Sequence, residues 1–366
     1  MDQLRFGILS TAGIGRQNWK AIFNSGNAIV TAVASRDVGR GREYIRECQH
    51  GFPFASEPVA LGSYEELLAA KSVDAVYIPL PTGLRKEWVL RAAAAGKHVI
   101  CEKPCGVKFT DVQGMTDACA KNRVQFMDGV MFMHNQRLAR VREVLDDGKS
   151  IGPVRRITSA FSFLGSGGFS NNNIRVDGRL EPTGCLGDLG WYSIRFTLWA
   201  LKWQLPYTVT GRILSQSKPV GGRTPAPTDF SAELVFEGGI SAGVYCSFLS
   251  ALQQWAFISG RDGWLRMPDF VHPFNSFAPS FEVNRTEIHI PAPAGARAPA
   301  PGSDLAELGH ATAQNTVMFR NFANQVFSGK LNEEWPMWAL QTQKVMDACY
   351  QSAQEAGKPT KLEFKL

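Results

Sequence analysis

Several features are missing from this chain, and each absence excludes something. No stretch approaches about 18 consecutive apolar residues, so nothing reads as a membrane-spanning helix. No run of five like charges occurs, because the 39 basic and 33 acidic residues behind the net charge of +6 are mixed along the chain. A nucleic-acid binder needs a concentrated basic face. The one local cluster, Arg36, Arg40, Arg42 and Arg46, reads mostly as a solvated helix face. The seven cysteines are odd in number and form no Cys-x-x-Cys pair, and the six histidines lie far apart. A structural zinc site draws on paired ligands about two to four residues apart, so no metal is expected, and unpaired thiols suit a reducing compartment. Met1 to Phe6 leads straight into a strand with no basic region or apolar signal core. The expectation is a cytoplasmic protein that binds neither membrane nor nucleic acid.

What is present is ordinary globular material. Hydrophobic residues make up 44% and charged residues 20% of 366 positions, which excludes a disordered or collagen-like chain. At about 100–200 residues per domain the length accommodates two. Over residues 1–128 strand and helix patterns alternate. Apolar runs at Leu4–Leu9, Ile29–Ala34, Val73–Ile78, His98–Cys101 and Val124–Met127 are separated by helical patterns. One of these opens on a Ser63/Glu66 capping pair, one is closed by Gly96, and one is expected to be capped by Thr110 and to reach Lys121. Such repetition specifies a parallel sheet with helices on both faces, and such a sheet binds ligands beyond the carboxyl ends of its strands. Residues 129–366 read differently. Val154–Phe163, Ala232–Phe236, Ser241–Phe248 and Trp255–Ser259 are strands joined mostly by turns, a pattern of antiparallel pairing. A helix over about Asp188–Leu201 interrupts them, another closes the chain over Pro336–Ala356, and Ser217–Thr228 and Pro291–Gly302 are loop-like. The fold class is therefore α/β: an N-terminal dinucleotide-binding (Rossmann) domain, 1–128, and a C-terminal α+β domain, 129–366, with a large, mostly antiparallel open sheet.

The chemistry belongs in the loops after the first domain's strands. Ser10-Thr11-Ala12-Gly13-Ile14-Gly15 occupies the place of a Gly-x-Gly-x-x-Gly fingerprint, where small residues let backbone N–H groups approach a pyrophosphate. Ser10 and Ala12 replace the first two glycines, so an ordinary strand-to-helix turn remains an alternative. Ser35-Arg36-Asp37 follows the second strand, where an acid suits a ribose 2′-hydroxyl and Arg with Ser suits a 2′-phosphate. This favours NADP(H) over NAD(H). Candidate cofactor contacts are Ser10, Thr11, Ala12, Gly13, Ile14, Ser35, Arg36, Pro79, Leu80, Thr82, Glu102 and Lys103. Lys103, in Glu102-Lys103-Pro104, stands at a strand's carboxyl end. Asp188 and Tyr192 are four apart and on a helix share one face. With a lysine they form a proton-transfer group; by spacing alone they are a helix cap and a packing residue.

Together these segments resemble the glucose-fructose oxidoreductase/inositol dehydrogenase (Gfo/Idh/MocA) family over nearly the whole length. The resemblance rests on Gly7–Gly15, Tyr77–Pro81, Ala95–Pro104 and Gly187–Tyr192. It implies that Lys103 lies near the nicotinamide and the reacting hydroxyl, that Asp188 orients the substrate, and that Tyr192 stands where many members have histidine. The chain is similar here to the tyrosine-bearing branch, which often prefers NADP(H). Thr82 and Arg85 depart from the Asn and His common in that loop, and His134-Asn135 from a common His-Pro. Trp255, His272 and Arg156 are neighbourhood candidates for substrate contact.

The implied reaction is hydride transfer between nicotinamide and a hydroxyl or carbonyl carbon of a sugar, polyol or related diol. Lys103 is expected to lower the Tyr192 pKa, so that the phenolate accepts the hydroxyl proton. Two rivals remain: redox-neutral glycoside cleavage or internal recycling on a tightly bound cofactor, and a non-enzymatic dinucleotide sensor on the same fold. The exposed second sheet implies a homodimer or homotetramer.

Overall fold

Six short apolar runs, each ended by small or turn-forming residues, become parallel strands in the computed structural model, which describes residues 2–165, 169, 173–218, 224–291 and 310–362. They are β1 (Leu4–Leu9), β2 (Ala28–Ala34), β3 (Val59–Leu61), β4 (Ala75–Ile78), β5 (His98–Cys101) and β6 (Phe126–Asp128), in the order β3-β2-β1-β4-β5-β6. Between them run α1 (Gly13–Ser25), α2 (Val38–Gly51), α3 (Tyr64–Ala69), α4 (Thr82–Ala94) and α5 (Phe109–Lys121). Every residue of β4 is buried, as a strand covered on both faces requires. Strand order reverses between β1 and β4, which opens a crevice at their carboxyl ends. Gly96, at φ +70°, closes the α4 turn as expected. Ser63 accepts from the Glu66 N–H at 3.1 Å, while the Glu66 carboxylate takes the Gly62 N–H, one residue before the reciprocal position. Thr110 is not the cap of α5. Lys108 holds that position without a side-chain bond, and the Phe109 N–H is satisfied at 2.6 Å by Asp347, from the far end of the chain.

Among the described residues the second sheet has nine strands: β7 (Val154–Ser162), β8 (Thr208–Gln216), β9 (Pro227–Val235), β10 (Ser241–Ser247), β11 (Gln253–Gly260), β12 (Trp264–Met267), β13 (Ser280–Val283), β14 (Thr286–His289) and β15 (Thr360–Lys361). Their order is β14-β13-β12-β11-β7-β10-β9-β8-β15. Among the described residues only β7 and β10 pair as parallel strands, so the sheet is mixed but mostly antiparallel. Along β9, Phe230, Ala232 and Leu234 are buried and alternate with half-buried Ser231 and Glu233. The helices here are α6 (Arg137–Asp146), α7 (Trp191–Ala200), α8 (Gln314–Phe327) and α9 (Glu334–Gln354). The helix expected over Asp188–Leu201 begins instead with a π-helical turn, Leu186–Gly190, that carries Asp188 ahead of α7.

Late in the chain, α8 returns to the parallel sheet. Phe319 meets Phe6 and Tyr77 edge-on at 5.5 and 5.8 Å, and the Arg320 guanidinium donates to the Ser25 carbonyl. Both sheets therefore contribute to one crevice. Of the loop expected over Ser217–Thr228, residues 217–218 and 224–226 are irregular as expected, Pro227 and Thr228 already belong to β9, and 219–223 lie outside the described residues, as does all of Pro291–Gly302 but Pro291. Among the described residues no helix is long and apolar enough to cross a membrane.

Candidate active site

The turn after β1 is tighter than its side chains favour. Ser10 takes φ +114°, a region where glycine is at ease, and its Oγ accepts from the Ala12 N–H. Gly15 sits so close to α2 that a Cβ there would lie 2.5 Å from the Tyr44 hydroxyl. Helix α1 starts with neither a side-chain cap nor an acidic residue in its first turn. Its free N–H groups and positive dipole end are thus available to an anion. Ala12, Gly13 and Ile14 line a cavity of about 410 Å³ that extends across the crevice. At the end of β2, Asp37 caps α2 through bonds from the Gly39 and Arg40 N–H groups at 2.9 and 3.2 Å. Arg36 is exposed, and the buried Ser35 accepts from the Asp37 N–H.

Three separate elements meet at Lys103. Its ammonium donates to the Asp188 carbonyl at 2.6 Å and to Asp188 Oδ1 at 2.8 Å, and lies 4.8 Å from the centre of the Tyr192 ring. The other carboxylate oxygen accepts from Arg175 Nε at 2.8 Å. The π-helical turn brings Asp188 down onto the Lys103-Pro104 loop. At Gly187 a Cβ would stand 2.2 Å from Thr183 Oγ1 and 3.0 Å from Pro104, so only glycine permits the approach. Burial alone would push the Asp188 carboxyl up, but the charges and hydrogen bonds of Lys103 and Arg175 hold it at about 2.

Tyr192 departs from expectation. Burial first, then the Glu102 and Asp188 charges, raise its phenol well above 10. Lys103 faces the ring rather than the hydroxyl, which donates to Met131 Sδ at 3.7 Å. The lowered pKa expected from the lysine is therefore replaced by a raised one, and the group is a protonated phenol at neutral pH.

Pro79, Leu80, Glu102, Lys103, Asp188 and Tyr192 all line the same cavity as Ala12, Gly13 and Ile14. Ser10, Thr11, Ser35, Arg36 and Thr82 do not. Thr82 is committed elsewhere: its N–H and hydroxyl bond the buried Glu181 carboxylate at 3.0 and 2.5 Å. Arg85 lines the cavity and braces its floor, donating to the Leu80 carbonyl, Thr82 Oγ1 and the Pro104 carbonyl. Glu102 is held by the Tyr77 hydroxyl at 2.6 Å, which Asn18 supports in turn. Of the neighbourhood candidates, His272 reaches the cavity. Trp255 sits opposite Ala160 on the outer sheet face, with Tyr245 and Glu233, and Arg156 is paired to Glu233 there. Sequence reasoning missed Arg175 and Glu181. The only signal for Arg175 was its place a short way before the Gly187–Tyr192 segment. Among the described residues no three His, Cys, Asp or Glu side chains converge as a metal site.

The chain matches "Oxidoreductase family, NAD-binding Rossmann fold" over residues 4–130 and "GFO/IDH/MocA C-terminal domain" over residues 138–266. It belongs to the GFO/IDH/MocA family. It is 30% identical over 361 residues to D-xylose 1-dehydrogenase (NADP(+)) 2 of Haloferax volcanii, covering 98% of this chain and 100% of that one. It is 31% identical to the trans-1,2-dihydrobenzene-1,2-diol dehydrogenase of Mus musculus over 266 residues, 71% of this chain and 73% of the other. A solved 3-ketoreductase from Actinomadura kijaniata, in complex with NADP and TDP-benzene, superposes with TM-score 0.77 at 24% identity, covering 96% and 98% of the two chains. An aldose-aldose oxidoreductase from Caulobacter crescentus gives 0.78 at 21%, covering 98% and 100%. This GFO/IDH/MocA chain is thus an oxidoreductase with a nicotinamide-cofactor domain. The α1 start and the lysine–aspartate–tyrosine group line one cavity, and free N–H groups at a helix start suit a pyrophosphate.

Proposed function

We propose that the protein is an NADP(H)-dependent oxidoreductase that interconverts a hydroxyl and a carbonyl on a sugar, polyol or cyclic diol. The observation that carries this reading is the meeting of Lys103, Asp188 and Tyr192 in the cavity that begins at the α1 terminus. The preference for NADP(H) is supported by the end of β2, where Asp37, the acid that could take a ribose 2′-hydroxyl, is spent on capping α2 while Arg36 stands exposed. The Haloferax relative is NADP-dependent by name.

The bound nicotinamide supplies or accepts the hydride. Lys103 and Asp188 bind the substrate's polar groups and fix its reacting carbon. Tyr192, kept protonated by burial, donates its proton to the oxygen that gains charge when a carbonyl is reduced, and takes it back in oxidation. Arg175 keeps Asp188 ionised and oriented. The half-buried Tyr245, Trp255, Phe257 and Trp264 on the outer sheet face favour pairing of subunits there. Seven buried free thiols favour a reducing cytoplasm.

Nucleotide released on denaturation is identified by mass spectrometry, and binding and turnover are measured with NADP⁺ and NAD⁺ on D-xylose, D-glucose and a cyclic trans-diol. The expected result is exchangeable cofactor, at least tenfold tighter binding of NADP⁺, and turnover of one of these substrates. Stoichiometric, non-exchanging NAD(H) without net turnover would replace this reading with redox-neutral chemistry.

A further inference from the structure

The charged side chains of the cavity are already occupied. Lys103 and Arg175 are bound to Asp188, Glu102 to Tyr77, Glu181 to Thr82, and Arg85 to backbone carbonyls. His272 is different. Its imidazole lines the cavity, and among the described residues no protein group hydrogen-bonds either ring nitrogen.

Its backbone, in contrast, is fixed. The His272 N–H donates to Gln254 Oε1 and its carbonyl accepts from Gln254 Nε2, both at 2.8 Å, and Gln254 is buried in β11. Just before it, Asp269 forms a buried ion pair with Arg137 and accepts the Phe274 N–H at 2.7 Å. A segment tied at both sides presents the ring at one place. There it meets Phe161 edge-on at 6.4 Å, and Phe161 packs edge-on against Tyr192 at 5.5 Å, so the imidazole lies on the second-sheet wall beside the proposed proton donor. Burial, reinforced by the Lys103 charge, lowers its pKa to about 4. A neutral imidazole offers one donor and one acceptor, the complement of a sugar hydroxyl.

We infer that His272 determines substrate specificity by hydrogen-bonding a substrate hydroxyl other than the one that reacts, so that the site selects neutral polyhydroxylated compounds over simple alcohols. This rests on the oxidoreductase reading above and adds the residue that reads the substrate. A polar site group left unpaired by a substrate lacking its partner discriminates strongly against that substrate.

The test uses the full-length protein and the variants His272→Ala and His272→Gln. NADP⁺-linked kinetics are measured on D-xylose and D-glucose and their 2-deoxy and 3-deoxy forms, and NADPH binding is measured by fluorescence titration. Loss of one neutral hydrogen bond is expected to raise KM for the parent sugar about threefold to tenfold in His272→Ala. NADPH affinity stays unchanged, and His272→Gln recovers part of the loss. The deciding readout is discrimination: wild type prefers the parent over one deoxy form, and His272→Ala loses that preference. A merely structural histidine would weaken all sugars alike. Unchanged discrimination in His272→Ala, or an equal loss of NADPH binding, overturns the inference. If His272→Ala does not fold, His272→Leu, which also lacks the hydrogen bond, takes its place, and wild-type discrimination in that variant overturns the inference. Absence of turnover by wild type on all of these sugars overturns the sugar reading itself, and the inference with it.

Discussion

Replacing Asp188 by Asn probes the centre of the site through stability as well as activity. The carboxylate has one oxygen on Lys103 and the other on Arg175, both at 2.8 Å, and its side chain is 15% exposed. An asparagine of the same shape presents one acceptor and one donor. Whichever way it turns, its amide N–H₂ confronts a cation: either the buried Lys103, which then keeps only the Asp188 carbonyl, or the 42% exposed Arg175. The wild-type carboxyl is lowered from 3.8 to about 2 in the fold. At about 1.4 kcal/mol per pH unit this linkage amounts to about 2 kcal/mol. A depressed acid stabilises the fold above its unfolded pKa, and that stability is lost as pH falls through the folded pKa. The window is therefore roughly pH 4 down to pH 2. Breaking a buried ion pair from one side adds the cost of the orphaned charge and typically reaches about 3–5 kcal/mol.

Urea unfolding followed by the fluorescence of the nine tryptophans at pH 7, 5 and 3 measures the difference. Asp188→Asn is expected to be about 2–4 kcal/mol less stable at pH 7 and 5, with the gap narrowing at pH 3 as the wild-type carboxylate starts to protonate. Lys103→Met should destabilise in the same sense, and the double variant by less than the sum, since both remove the same contact. A gap that is the same at all three pH values, or no gap, would refute the assignment of Asp188 as an ionised, doubly paired group.

Tyr192→Phe should lower kcat by about 10²-fold or more while NADPH affinity stays within about twofold, since only a weak bond to Met131 is lost on the structural side; equal loss of both counts against the proton-donor role. Arg36→Asp should raise the Kd for NADP⁺ about tenfold or more and leave NAD⁺ binding unchanged, measured by titration calorimetry. Ser10→Gly relieves a backbone at φ +114° and should raise the melting temperature, by about 1 kcal/mol less the lost bond to the Ala12 N–H. Asp347 is raised to about 6, first by burial, so its carboxylate lowers stability as pH climbs through 6. Asp347→Asn can still accept the Phe109 N–H, and a flip of the Gln343 amide, which now donates to Asp347 Oδ1 at 2.7 Å, turns the unpartnered Gln343 Oε1 towards the new amide, so it should stabilise at pH 8 and make no difference at pH 4, read from thermal melts.

Five of the six strands of the parallel sheet were legible because they are buried apolar runs; β3, a three-residue edge strand with Val59 exposed, was not. Leu4–Leu9 and His98–Cys101 are apolar runs with turn residues behind them, and the structure keeps both to the residue. The second sheet was less so. β8, Thr208–Gln216, exposes Arg212, Leu214 and Gln216, and its apolar content is too thin for a periodicity argument. β12, β13 and β14 are four residues each, too short for alternation to distinguish from chance. The cap of α5 could not be found locally, because the group that satisfies the Phe109 N–H comes from residue 347. Within the site, Lys103 and Asp188 announced themselves by their places after a strand and ahead of a helix. Arg175 and Glu181 did not, because Arg175 lies in a single 3₁₀ turn, Ile174–Val176, and Glu181 in irregular chain, where no period marks a face, and the partner of Glu181 is 99 residues earlier.

The Tyr192 phenol shows how far chemistry by residue type carries without coordinates. A lysine beside a tyrosine lowers its pKa only when the ammonium faces the oxygen, and here it faces the ring. Burial is then the largest influence, and two carboxylates in the same cavity, Glu102 and Asp188, act with it against the charge of the Arg175 guanidinium. With the lysine held by Asp188, the proton stays on the tyrosine and the group is poised to give it rather than to receive one. Under the proposed proton-donor role, carbonyl reduction is the direction that uses the phenol in its protonated state. Oxidation requires a substrate hydroxyl to shed its proton onto a phenol already protonated, so a proton must first leave Tyr192. The pH dependence of the two directions should differ accordingly: NADP⁺-linked oxidation rising steadily towards alkaline pH, and NADPH-linked reduction flat through neutrality, with flat profiles in both directions counting against Tyr192 as the group that exchanges the proton.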